Sequence, residues 1–278
     1  MQSYKQVVKK LFPLLKNITH IPQKEVEILL LHILKQNVIW LHINYNKECE
    51  NDIAKELEKL VKKRATDFPM EYITLKASFY GETFNVASNV LIPRPQTEIL
   101  VEKAIETLSN IDNPKVVEIG TGSGIISVML ALEVPNISII AVDINDDALA
   151  LAKNNAKKFD VEDKITFIKS DIFDSIDVKG LDMCISNPPY IKNDYKLPTN
   201  VKHEPSNALF GGNNGDELLK KIIDASYENN IKYLYCEMGY DQKEPLKKYI
   251  KKYKTKNLEF YQDYEKFDRG FTTEFLYD

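Results

Sequence analysis

The tetrapeptide Asn187-Pro188-Pro189-Tyr190 joins residue types that can act on a planar nitrogen group. It follows Asp182-Met183-Cys184-Ile185-Ser186, a run that reads as a buried strand. Two prolines fix the backbone, so the Asn187 amide and the Pro188 carbonyl become preorganised acceptors beside an aromatic ring. A planar amide or amino group can donate its two N–H bonds to those acceptors and stack on Tyr190. The alternative is a plain Asn-Pro turn. Its position at a strand end, where ligands of open α/β sheets bind, weighs against that alternative.

Two further features point to a nucleoside-bearing ligand. In Val116-Val117-Glu118-Ile119-Gly120-Thr121-Gly122-Ser123-Gly124 an apolar strand runs through glycines into a helix starting near Ile125. Glycines permit close backbone approach, and a helix N-terminus offers free N–H groups to a carboxylate or phosphate. Asp143 ends the next apolar run, where an acid can bond ribose hydroxyls, although an acid there is also often a helix cap. These two features do not separate a dinucleotide from S-adenosylmethionine.

Positioning these groups requires a sheet. Short apolar runs at 116–119, 137–142, 165–168, 181–185 and 233–237 alternate with helical patterns, which predicts a mostly parallel sheet covered on both faces. The runs 258–261 and 271–277 lack a strong helix between them and predict a terminal antiparallel pair. Before the sheet, helices are expected over about 5–16, from Pro22 onward and over about 51–65. A short hairpin is expected around Gly81-Glu82, then a stiff loop Leu91-Ile92-Pro93-Arg94-Pro95 and a helix from Gln96. The expected organisation is a helical domain (1–68), a connector (69–95) and an α/β domain (96–278).

Composition narrows the classes. With 278 residues, 44% hydrophobic and 28% charged, the chain has ordinary globular composition and length enough to bury roughly 70% of its unfolded surface. Cys49, Cys184 and Cys236 form no CxxC pair or His/Cys cluster, so neither a metal nor a disulfide framework is expected, and a reducing cytoplasm is. His20, His32, His42 and His203 lie outside the strand-end motifs. No secretory leader or membrane span is expected. Residues 1–76 carry 13 Lys and Arg against 9 Asp and Glu, whereas 77–278 carry 24 against 32. Arg64, Arg94 and Arg269 are the only arginines, a poor endowment for reading nucleic acid.

Asn-Pro-Pro-Tyr after the fourth strand resembles the signature of class I methyltransferases that modify adenine N6 or glutamine N5. The stretches Phe79-Tyr80-Gly81 and Val90-Leu91-Ile92-Pro93-Arg94-Pro95-Gln96-Thr97-Glu98 are similar to hallmark segments of the release-factor glutamine methyltransferases of the HemK/PrmC type. So are Glu204-Pro205, Ala208-Leu209-Phe210-Gly211-Gly212 before Gly215, Glu237-Met238-Gly239 before Gln242, and the helical N-terminus. The resemblance spans essentially the whole chain. It implies a Rossmann-like, seven-stranded class I methyltransferase sheet with an antiparallel terminal strand, and transfer of methyl from S-adenosylmethionine to the Gly-Gly-Gln glutamine of class I release factors. It also implies that Gly120, Thr121, Gly122, Ser123 and Gly124 wrap the methionine part. Asp143 would hold the ribose, Asp171 and Ile172 would flank the adenine, and Glu118 would sit under the cofactor. Asn187 and Pro188 would orient the substrate amide, with Pro189, Tyr190 and Arg94 around it. The chain departs from the family pattern at Gln96, where an acid is usual. A ribosomal-protein glutamine methyltransferase and a nucleic-acid adenine N6-methyltransferase are the alternatives; net acidity and scarce arginine count against the latter, so no stable nucleic-acid partner and no membrane are expected.

Overall fold

The computed structural model describes residues 2–277, which form two compact units. One runs to Lys76 and also takes in Leu197–His203; the other holds Ala77–Lys196 and the chain from Glu204.

The first unit is helical: α1 (Tyr4–Leu11), α2 (Pro22–Leu34), α3 (Val38–Asn44), α4 (Asn51–Arg64) and α5 (Met70–Thr74). Ser3 and Gln6 close a capping box on α1. The helix expected to run to residue 16 stops at Leu11, and the chain tightens into a 3₁₀ turn over Phe12–Leu15. Pro13 accounts for this, since it has no N–H to continue the ladder and its ring crowds the preceding turn. α3 was not expected. Asn37 caps it by accepting from the Trp40 N–H at 2.9 Å, but Val38, Ile39 and Ile43 are exposed, so no inward apolar stripe marks it. The core is Val8, Leu15, Val26, Leu29, Leu30, Leu57 and Val61. Arg64 forks onto Glu25 at 2.8 and 3.3 Å and reaches Asp67, so one of the three arginines is spent inside this unit.

The second unit opens with a hairpin, β1 (Lys76–Phe79) and β2 (Glu82–Asn85), then α6 (Thr97–Leu108). There follow β3 (Lys115–Ile119), α7 (Ile125–Glu133), β4 (Ser138–Asp143), α8 (Asp146–Lys158), β5 (Ile165–Lys169) and β6 (Met183–Ser186). A small pair, β7 (Ile191–Lys192) and β8 (Phe210–Gly212), precedes α9 (Glu217–Glu228), β9 (Tyr233–Glu237), α10 (Lys243–Ile250), β10 (Thr255–Gln262) and β11 (Asp268–Phe275). Seven strands pair in the order β10-β11-β9-β6-β3-β4-β5, with β11 antiparallel to both its neighbours and the other registers parallel. The expected terminal antiparallel pair is present, with the last strand inserted beside β9 rather than left at the edge.

Side chains alternate across the sheet and feed two cores. Val116, Ile139 and Ile185 meet α6, α7 and α8 through Leu100, Met129 and Ala156. Val117, Val142 and Cys184 meet α9 and α10 through Ile222 and Leu246. From β3 the order runs outward both ways, through β4 and β5 on one side and β6 and β9 on the other. The carboxyl ends of β3 and β6 therefore flank the point where an open α/β sheet leaves its ligand crevice.

Candidate active site at the carboxyl ends of the strands

A cavity opens at that point. It is lined by Glu118 and the 119–123 loop from β3, Asp143 from β4, Asp171 and Ile172 after β5, and Asn187 and Pro189 after β6. Leu91–Arg94 and Thr97 line it from before and inside α6, and Asn207 and Ala208 from before β8.

Glu118 points toward α7 and is 1% exposed. Its Oε2 accepts from the Thr121 hydroxyl at 2.8 Å, the Ser127 N–H at 3.1 Å and the Ser127 hydroxyl. Ser127 is in the first turn of α7, so the carboxyl sits on free N–H groups at a helix N-terminus. Its Oε1 is buried and has no partner. Burial pushes this carboxyl up to about 7, against the pull of those hydrogen bonds, and nearby Asp143 adds to the rise.

The glycine loop is tied down from three sides. Asp143 Oδ2 accepts from the Gly122 N–H at 2.9 Å, the Val142 carbonyl accepts from the Thr121 N–H at 2.9 Å, and Asn155 Nδ2 donates to the Ser123 carbonyl at 2.8 Å. Gly124 turns the chain into α7 at φ +80, where a Cβ would lie 2.9 Å from the Ala152 Cβ, so only glycine lets α7 and α8 approach here. Asp143 Oδ1 accepts from the Asn145 N–H at 2.9 Å, and burial raises its carboxyl from the ordinary value. Ile172 holds φ +50, an uncommon conformation for a β-branched residue, on the cavity wall.

On the opposite wall, Asn187 Nδ2 donates to Thr97 Oγ1 at 3.0 Å. Pro188 is buried and is not among the lining residues. Tyr190 packs its ring against the α9 and α10 side of the core, and its hydroxyl donates to Glu237 Oε1 at 3.0 Å. Tyr190, expected to stack on the substrate amide, is not among the lining residues, and its hydroxyl is held by a buried carboxylate. Gln242 Nε2 fastens the Tyr190 carbonyl at 2.9 Å. A Cβ on Gly211 would come 2.4 Å from the Pro189 carbonyl oxygen, so the glycine lets β8 lie directly on the tetrapeptide backbone.

Arg94 does not project freely toward a substrate. Its guanidinium is paired with Glu204 Oε1, while Glu204 Oε2 accepts from the Ile92 N–H at 3.1 Å. This clasp joins the proline-rich loop to the segment before β8, both of which line the cavity. Gln96 occupies the N-cap of α6 without a capping bond from its side chain, and Glu98 in the first turn accepts from the Tyr80 N–H at 2.7 Å. The sequence reading assigned no part to Thr97, Glu204, Glu237 or Gln242, although each lies in a stretch it singled out.

The site fits a ligand with a cationic end and a nucleoside. Glu118 Oε1 is a buried acceptor lacking a donor, on the wall of the cavity, and Asp143 keeps lone pairs beside the bonds it accepts from the loop and strand-end backbone. Among the described residues, no single helix is long and apolar enough to cross a membrane.

Comparison with known proteins gives the family. Residues 6–74 match the PrmC N-terminal domain and residues 95–205 the methyltransferase small domain. The release factor glutamine methyltransferase of Aquifex aeolicus is 32% identical over 264 residues, covering 94% of each chain. Its counterpart from Buchnera aphidicola is 35% identical over 259 residues, covering 92% of this chain and 93% of that one. In fold, the N-terminal domain of human METTL16 in complex with SAH superposes with a TM-score of 0.52 at 20% identity, over 72% of this chain and 77% of that one.

Proposed function

The chain belongs to the release factor glutamine methyltransferase family, and on that basis we propose that it methylates the side-chain nitrogen of the Gly-Gly-Gln glutamine of class I peptide chain release factors, at the stage of translation termination in the cytoplasm. It is an enzyme, and S-adenosylmethionine is its methyl donor. The observation that carries the site assignment is the orientation of Asn187: its NH₂ is engaged by Thr97, which leaves its carbonyl for the cavity.

When bound, S-adenosylmethionine supplies an electrophilic methyl group on a sulfonium. Glu118 Oε1 would meet the cationic end, Asp143 the ribose hydroxyls, and the walls at Asp171 and Ile172 the base. The glutamine amide is a weak nucleophile, because its lone pair is delocalised into its own carbonyl. Asn187 Oδ1, on the cavity wall, accepts one of its N–H bonds and the family resemblance assigns the other to the carbonyl of the buried Pro188, which aims the nitrogen and stabilises positive charge developing on it. No strong base is required beforehand, since the methylated nitrogen then loses a proton readily. Glycines beside the glutamine let its backbone enter a crevice narrowed by the Arg94–Glu204 clasp. The helical unit would dock the folded factor, so that remote contacts position the amide.

Labelled S-adenosylmethionine offered in parallel with intact release factor, ribosomal protein and DNA tests this reading. One methyl on the Gly-Gly-Gln glutamine, seen by mass spectrometry, is the expected result. Methylation of DNA or of ribosomal protein instead would move the chain to another substrate class.

A further inference from the structure

Behind Asn187 a run of hydrogen bonds leads away from the cavity. Asn187 Nδ2 donates to Thr97 Oγ1 at 3.0 Å, Thr97 Oγ1 donates to Glu237 Oε2 at 2.6 Å, and the Tyr190 hydroxyl donates to Glu237 Oε1 at 3.0 Å. With Glu237 ionised, the direction of this run is forced. An ionised carboxylate only accepts. Thr97 has one hydroxyl proton and gives it to Glu237, so toward Asn187 it can only accept. Asn187 must then turn its NH₂ to Thr97 and its carbonyl away, and Oδ1 accepts nothing from the described residues.

The direction matters because an asparagine amide presents nearly the same shape when rotated by half a turn, with donor and acceptor exchanged. Rotated, it would set NH₂ against the NH₂ of the substrate. Thr97 and Glu237 are 0% and 1% exposed, so water does not compete for these bonds. Burial raises the Glu237 carboxyl from its ordinary value, while the bonds from Thr97 and Tyr190 and the charges of Arg269 and Arg94 pull it back toward the charged form. Arg269 is itself anchored to Asp263 at 2.8 and 3.0 Å.

We infer that Glu237, acting through the Thr97 hydroxyl, is a positioning residue that fixes which end of the Asn187 amide faces the substrate. The inference rests on Asn187 being the substrate's acceptor, and the test separates the two claims. Steady-state turnover of intact release factor is measured for Thr97→Val, Thr97→Ser, Glu237→Gln and Asn187→Ala, with S-adenosylmethionine affinity measured by calorimetry. Thr97→Val keeps the shape of the side chain and removes the relay; kcat should fall at least tenfold, with KM for the factor and the cofactor Kd within threefold. Thr97→Ser should restore most of that loss. Glu237→Gln should lower kcat as well, and the Thr97→Val/Glu237→Gln double variant should be no more than about threefold worse than the weaker single, because both act through one amide. If Glu237→Gln does not fold, the Val and Ser pair still decides. A Thr97→Val enzyme with kcat within threefold of wild type, beside an inactive Asn187→Ala, overturns the inference and leaves the Asn187 role standing. An active Asn187→Ala overturns that role itself.

Discussion

Cofactor affinity should depend on pH through Glu118. In the free protein burial holds this carboxyl at about 7, so at pH 6 about nine in ten molecules carry a proton there. A cationic group placed against the unpartnered Oε1 favours the charged form. If binding returns the group to its ordinary value of 4.5, close to one proton leaves per ligand bound at pH 6, and affinity falls about fortyfold in all between pH 7 and 5. Titration calorimetry at pH 6 in two buffers of different ionisation enthalpy reads that proton directly. Glu118→Gln should bind more weakly at pH 8 and show no slope over this range. Unchanged heats in the two buffers, or the wild-type slope persisting in Glu118→Gln, would refute the argument. The raised value also has a signed effect on the free protein. A folded-state value above the unfolded one gives a stability contribution that is whole below about 4.5 and lost as pH rises through about 7. The loss is on the order of 3 kcal/mol, because a tenfold change in a proton-binding constant corresponds to about 1.4 kcal/mol. The Tm of the free protein should therefore drop across that window, and Glu118→Gln should flatten the drop.

Asn187→Ala should lower kcat by about 10²-fold, the usual loss for one preorganised acceptor or donor at a developing charge, with S-adenosylmethionine affinity within a few-fold by calorimetry. Asp143→Ala should weaken cofactor binding more than it lowers kcat, because it strips acceptors from the ribose and frees the Gly122 N–H; unchanged affinity would remove the ribose role. Arg94→Ala should cost about 2 kcal/mol in urea unfolding, since the buried Glu204 carboxyl keeps only the Ile92 N–H among the bonds that join the two loops. Tyr190→Phe should destabilise by about 1–3 kcal/mol through loss of a donor to the buried Glu237, and it would retain activity if the ring alone serves the substrate.

The sheet was legible because its strands are short and apolar and each ends at a turn, so the run 116–119 and its successors could be read one by one. The central strands are buried on both faces, which leaves no alternation to misread. The helical unit was less open. α3 owes its existence to the Asn37 cap and α5 follows Pro69, and neither presents the periodic stripe on which a sequence reading depends. Pro13 was visible in the sequence, but ending α1 there required weighing the missing N–H above the apolar residues that continue past it.

At the site, the glycine loop and the Asn-Pro-Pro-Tyr turn could be read because their chemistry is local: the groups that meet the ligand are neighbours along the chain. The partners that give those groups their direction are not. Thr97 and Glu237 are 140 residues apart, Asn187 and Thr97 are 90 apart, and Arg94 and Glu204 are 110 apart. Spacing carries no signal over such distances; only the sheet, by bringing the end of β9 beside the end of β6 and setting α6 across them, makes those pairs. A tetrapeptide therefore supplies the right atoms without saying which way its amide faces. That choice falls to a carboxylate two hydrogen bonds away: when ionised, Glu237 can only accept, Thr97 must then donate to it, and Asn187 is left one way to turn. The same tetrapeptide set on a sheet lacking a threonine and a carboxylate at these two places would keep its backbone and lose its direction.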